Sequence, residues 1–126
     1  MRIPFPPDIP PRAIVRLRGR RAEAETLGLI DTGASVVVLP RELAERLGYD
    51  LATAPTVQVH TANGLIRVPT LTLAEVALGE ARVRDVEAVC HALDDDTLPV
   101  LIGLSFLRQF VVTLDFRRGF LILEEG

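Results

Sequence analysis

Turn signals recur so often along this chain of 126 residues that few segments between them can hold more than a short strand. Gly19-Arg20, Asn63-Gly64, Gly79-Glu80 and Arg117-Arg118-Gly119 each stand between runs of alternating or continuous apolar residues, which is the pattern of consecutive β-hairpins. The side chains agree with the turns. Hydrophobic residues make up 48% of the chain and aromatics only 5%, with no tryptophan. The core must therefore be aliphatic, built from Val, Leu and Ile, which suit strands.

Taken in order, Ala13 to Arg18 and Arg21 to Thr26 read as a first hairpin. Arg16, Arg18, Glu23 and Glu25 would form cross-strand charge pairs on its wet face. The wider cluster of Arg12, Arg16, Arg18, Arg20 and Arg21 is then a solvated face and not a binding patch. Leu27 to Ile30 is a short apolar strand running into Asp31, and Val36 to Leu39 is another. Pro40 opens a predicted helix over Arg41 to Leu47, which Gly48 stops. Thr56 to His60 and Leu65 to Thr70 flank Thr61-Ala62-Asn63-Gly64, whose Asn-Gly is the strongest short hairpin signal. Leu71 to Leu78 and Ala81 to Cys90 flank Gly79-Glu80. Asp94-Asp95-Asp96 is a polar loop, Leu104 to Phe110 gives one or two helical turns, and Val111 to Leu123 closes with a hairpin. The tally of nine or ten strands and two short helices predicts a mainly β, single-domain small barrel or sandwich.

Residues 1–12 stand apart as a proline-rich N-terminal arm, whose prolines favour extended geometry over packing. The domain is expected over residues 13–126. Fourteen basic residues, all arginine, face 17 acidic ones for a net charge of −3; nucleic-acid binding by bulk charge is not expected. The single Cys90 cannot form an internal disulfide, which excludes a stapled secreted scaffold. Without a run of the roughly 18–20 apolar residues a membrane helix needs, and with no signal-peptide pattern at Met1 to Pro7, a cytoplasmic location is expected.

Asp31-Thr32-Gly33-Ala34-Ser35 is the segment that draws attention for chemistry. A carboxylate at the end of a buried strand is unfavourable unless donors surround it. Thr32 and Ser35 carry hydroxyls that can bond within the loop, and Gly33 admits a tight turn or a close ligand. Taken alone, Asp-Thr-Gly fits an ordinary Asx turn equally well.

Two further segments shift the balance. Leu29 to Ser35, the hairpin position Asn63-Gly64, and Leu101-Ile102-Gly103-Leu104-Ser105-Phe106-Leu107 together resemble the retroviral-type (retropepsin-like) aspartic proteases, especially their small bacterial branch. The resemblance runs from about residue 13 to residue 123 in the family's order. It implies an acid-protease β barrel, an aspartic endopeptidase acting on extended polypeptides, and no metal or other cofactor. Asp31 would be catalytic, with Thr32, Gly33, Ala34 and Ser35 supporting its loop. Thr61, Ala62, Asn63, Gly64 and Leu65 would form a substrate-binding flap. Leu101, Ile102 and Gly103 would pack behind the site. One carboxylate cannot be acid and base at once, and no second Asp-Thr-Gly or Asp-Ser-Gly occurs. A two-fold homodimer pairing Asp31 with its counterpart is therefore required. The alternative function is a catalytically silent, peptide-binding or dimerisation module on the same fold.

The chain departs from the family in two places. Ser35 stands where many viral members carry a second Asp, and the C-terminus is a hairpin and not a lone strand. Other residues suggest less. His60, Cys90 and His91 lack the three or four convergent ligands of a metal site. Cys90 as a nucleophile would need a facing base, and only the adjoining His91 offers itself.

Overall fold

The computed structural model describes residues 1–93 and 95–126; of the predicted acidic loop, Asp94 lies outside the described residues. Ten strands and two short helices follow in the order β1 (Arg2–Pro4), β2 (Arg12–Arg18), β3 (Glu23–Ile30), β4 (Val37–Leu39), α1 (Arg41–Arg46), β5 (Thr56–Thr61), β6 (Gly64–Leu78), β7 (Ala81–Cys90), β8 (Val100–Ile102), α2 (Leu104–Leu107), β9 (Val111–Asp115) and β10 (Phe120–Glu124). Six strands close on themselves in the order β2, β3, β8, β4, β7, β6, with β6 returning to β2 through Arg16↔Ala77, Leu17↔Val76 and Arg18↔Glu75. The mainly β barrel expected from the turn pattern is therefore present.

Alternation builds the wall. Along β2, Ala13, Val15 and Leu17 are buried while Ile14, Arg16 and Arg18 face outward. The β2–β3 register sets Arg16 opposite Glu25 and Arg18 opposite Glu23, as the charge pattern predicts. The ion pair that forms is different: Arg18 reaches Glu75 at 3.7 Å, because barrel closure puts β6 on the other side of β2. Leu27 to Ile30 is not a separate strand but the second half of β3, since Gly28 stays extended beneath Val15 and Ile102.

The β6–β7 hairpin reverses its inward face partway along. Leu71 and Leu73 are buried, then Val76 and Leu78; opposite them Ala88 and Val86 are buried, and beyond these Ala81. The pairs Leu73↔Val86 and Glu75↔Arg84 keep one register across the break, while Ala74 and Asp85 are left unpaired. Asp85 adopts φ 55° there, a left-handed conformation that Asp tolerates better than most residues. The unpaired step in each strand swaps faces on both at once, so the hairpin turns a corner without losing its register.

The short β8 lies between β3 and β4. It runs parallel to β3 through Leu29↔Leu101 and Ile30↔Ile102, and antiparallel to β4 at Val38↔Leu101. The α1 helix begins after Pro40 and buries Leu43 and Ala44; with Leu47 they join the barrel core. In α2, Phe106 is fully buried and meets Phe110 with ring centroids 5.2 Å apart.

The N-terminal segment does pack, contrary to the expectation for residues 1–12. β1 pairs antiparallel with β10 through Arg2↔Ile122 and Pro4↔Phe120, and Phe5 is a core residue. Proline's missing donor is harmless on an edge strand, and β1 occupies the edge of the three-stranded sheet β1, β10, β9. The Pro11 carbonyl accepts from the Ile30 N–H at 2.9 Å, tying the arm to the strand that leads into Asp31.

Candidate active site

Asp31 leaves the end of β3 with its backbone anchored, because its N–H donates to the Ile102 carbonyl at 3.0 Å. This bond continues the β3–β8 ladder by one residue. The chain then turns: the Gly33 N–H donates to Asp31 Oδ1 at 3.0 Å and the Ala34 N–H to the Asp31 carbonyl at 3.2 Å. This is Asx-turn geometry. The turn reading and the site reading of the sequence are thus compatible, since the turn itself holds one carboxylate oxygen in place. Asp31 is half-buried, while Thr32, Gly33 and Ser35 are exposed.

Gly103 backs this loop. A Cβ there would lie 2.3 Å from the Val36 carbonyl oxygen and 2.6 Å from that of Ala34, so any side chain would displace the loop's backbone. The next residue closes the contact, with the Leu104 N–H donating to the Ala34 carbonyl at 2.9 Å. Ile102 is fully buried and Leu101 half-buried.

Ser105, which the sequence reading quoted without a role, completes the clamp. Its Oγ accepts from the Val37 N–H at 3.0 Å and donates to the Glu87 carbonyl at 2.8 Å. One hydroxyl thereby fixes α2 to the start of β4 and to β7. The signal was a small hydroxyl residue two positions after a glycine at a helix start, a pattern shared with many helix N-termini.

A groove of about 750 Å³ runs from Gly33, Ala34 and Ser35 beneath the β5–β6 hairpin to Cys90 and His91. Its wall is mainly aliphatic, with Val36, Val57, Val68 and Val89 among its lining. Asp31 is at the loop end of the groove and is not itself part of the lining. Of the five predicted flap residues only Thr61 lines the groove; Ala62, Asn63, Gly64 and Leu65 do not. The hairpin turn falls within the predicted Thr61-to-Gly64 loop. Thr61 pairs with Gly64, which leaves Ala62 and Asn63 as the two-residue loop, while Gly64 takes the positive φ of 106°. Thr61 directs this choice: its Oγ1 accepts from the Asn63 N–H at 3.2 Å and donates to the Gly64 carbonyl at 3.0 Å.

The remaining reactive residues are restrained. Burial pushes the Cys90 thiol up to about 11, with nearby Arg41 pulling the other way, so it is a poor nucleophile. His91 Nε2 donates to the Pro99 carbonyl at 2.8 Å. Among the described residues no group of three or more His, Cys, Asp or Glu side chains could hold a metal ion, and no helix is long and apolar enough to cross a membrane.

Comparison with known proteins agrees with this geometry. A retropepsin-like aspartic protease from Rickettsia conorii, known from its crystal structure, is 26% identical with a TM-score of 0.74, over 98% of this chain and 88% of that one. An uncharacterized protein in the cobV 5′ region of Sinorhizobium sp. is 39% identical over 83 residues, which is 63% of this chain and 34% of that protein. The chain thus spans about a third of the length of this curated relative. The family described as "gag-polyprotein putative aspartyl protease" matches residues 18–109, a span that takes in the Asp31 loop, the overhanging hairpin and the glycine and helix behind the loop. The fold is retropepsin-like, and the chain belongs to the gag-polyprotein aspartyl protease family.

Proposed function

We propose that the protein is an aspartic endopeptidase whose active site forms when two copies bring their Asp31 residues together on a two-fold axis. The observation that carries this reading is the state of the Asp31 loop. One carboxylate oxygen is held by the Gly33 N–H, the loop is braced from behind by Gly103 and Leu104, and Thr32 and Gly33 are left exposed. Such a loop is half of a two-carboxylate site.

Two like charges at close range disfavour double ionisation, so the pair holds one proton, as is general for aspartic proteases. Its titration belongs to the pair and to neither residue alone. The ionised Asp31 takes a proton from water as that water attacks the scissile carbonyl. The protonated Asp31 of the second copy donates to the carbonyl oxygen, and the leaving nitrogen is then protonated. In this reading Thr32 bonds across the axis and Gly33 offers its carbonyl to the substrate backbone.

The hairpin supplies a second element. Among the described residues β5 pairs only with β6, so its outer edge is open to an extended peptide adding as a strand. Closure of residues 61–65 over that peptide would exclude water and strengthen the electrostatics beneath. A reducing compartment such as the cytoplasm suits a lone buried thiol.

The test is mass spectrometry of a peptide library incubated with wild-type and Asp31→Asn protein. New cleavage sites are expected with wild type alone, and specific activity should fall on dilution as dimers separate. Equal cleavage by both proteins, or activity independent of concentration in a verified monomer, overturns the assignment. Binding without cleavage by either protein would favour a silent peptide-binding module.

A further inference from the structure

We infer that Glu87 gives the groove a preference for a basic residue in the peptide it holds, an inference resting on the peptide-binding reading of this groove. Glu87 sits where two depressions meet. The groove of about 750 Å³ that starts at the Asp31 loop and a second one of about 650 Å³ lined by Tyr49, Pro55 and Leu71 share three residues, Val57, Thr70 and Glu87. An extended peptide leaving the catalytic loop under the hairpin meets Glu87 on its way between them.

The local charges leave this carboxylate available. Among the described residues the ion pairs are Arg18–Glu75 and Arg118–Asp115, so Glu87 has no cationic partner within 4 Å. The second groove also carries Arg20 and Asp50, whose formal charges offset each other. His60 and His91 line the first. Arg67 lines neither groove; its guanidinium donates instead to Thr56 Oγ1 at 3.3 Å.

The neighbours match the stem of a long basic side chain. Val57 is a partly exposed aliphatic surface, and Thr70 turns its hydroxyl onto the Ala88 carbonyl at 3.2 Å. Lys and Arg lay their methylenes along such apolar surfaces while the charged head reaches a polar partner. The rest of the first groove is mainly aliphatic, with Val36, Val38, Val59, Val68 and Val89 in its lining, so the substrate class is an extended peptide with one basic residue flanked by apolar ones. The Glu87 carbonyl already holds Ser105, which fixes the backbone from which the carboxylate projects.

Peptides identical except for Lys, norleucine or Glu, scanned through each position, would test this in two ways. Cleavage by wild type, Glu87→Gln and Glu87→Arg is measured by kcat/KM, and binding of the same fluorescently labelled peptides to Asp31→Asn protein, with and without each Glu87 change, is measured by anisotropy. At one position wild type should favour Lys over norleucine about five-fold, the scale of a solvent-touching ion pair. Glu87→Gln should erase that preference and Glu87→Arg should move it to Glu. Cleavage or binding with a profile that neither substitution alters, in variants whose circular dichroism matches wild type, overturns the inference and leaves the protease reading standing. A Glu87-dependent preference in binding without any cleavage upholds the inference and overturns the protease reading. Neither binding nor cleavage of any peptide overturns both.

Discussion

Gly103 and Gly64 are both glycines of the segments that carry the family resemblance, yet they occupy opposite surroundings. At Gly103 a Cβ would collide with two backbone carbonyls of the Asp31 loop. At Gly64 nothing lies within 4 Å of where a Cβ would be, and the constraint is the positive φ of 106° alone. The region behind the carboxylate is thus defined by packing, whereas the tip of the overhanging hairpin is defined by backbone conformation in open space. The contrast fits the proposed protease, in which the reacting carboxylate has to be held in place while a hairpin that admits a peptide has to be able to move.

The sharpest way to break this contrast is Gly103→Ala. A methyl forced against the Ala34 and Val36 carbonyls should cost about 3 kcal/mol or more and shift the urea midpoint strongly; a wild-type midpoint would show that the loop yields and that the backing is loose. Ser105→Ala should come next, at about 2 kcal/mol, because the Val37 N–H and the Glu87 carbonyl both lose a partner. Gly64→Val should cost only about 1 kcal/mol for the left-handed φ while lowering kcat/KM more than the midpoint implies. If the Gly64 variant unfolds as readily as the Gly103 variant, the hairpin tip is structural and the contrast fails.

The smallest effect concerns the groove wall between the two regions. With the folded-state value of Cys90 raised from 9.0 to about 11, the native thiol keeps its proton where an unfolded one loses it. Stability therefore falls as pH rises between those two values and is unaffected below them. Alkylation at pH 8 should be slow in native protein and fast in urea; rapid native alkylation would mean that the wall opens as freely as the tip.

Much of this architecture is legible from local chemistry, and the misses share a cause. The Gly79-Glu80 turn, the Pro40-to-Gly48 helix and the closing hairpin follow from short-range signals that each element carries itself. Other features are set by partners far away in sequence. Arg18 pairs with Glu75 and not Glu23 because the barrel closes through β2 and β6. The insertion of β8 between β3 and β4 has no local signature, and without it the role of Ser105 cannot be seen. The face reversal at Ala74 and Asp85 does leave a trace, a two-residue gap in the alternation of Leu71, Leu73, Val76 and Leu78, which a search for hairpins reads through. Within the predicted Thr61-to-Gly64 loop, the Thr61 hydroxyl bonds to Asn63 and Gly64, a detail that Asn-Gly alone does not specify. The N-terminal segment packs because an edge strand has no use for the donors that proline lacks.

The position of β8 also sets an order of events during synthesis. Asp31 is translated before the groups that fix its loop from behind, the Ile102 carbonyl, Gly103, the Leu104 N–H and Ser105, which belong to a segment about 70 residues later in the chain. Contacts of such long sequence separation form late, and a chain grows at roughly 5–20 residues per second. A ribosome-bound fragment that stops short of this segment carries the carboxylate without its scaffold, so the braced form of the Asp31 loop arrives only once residues 102–105 have been added.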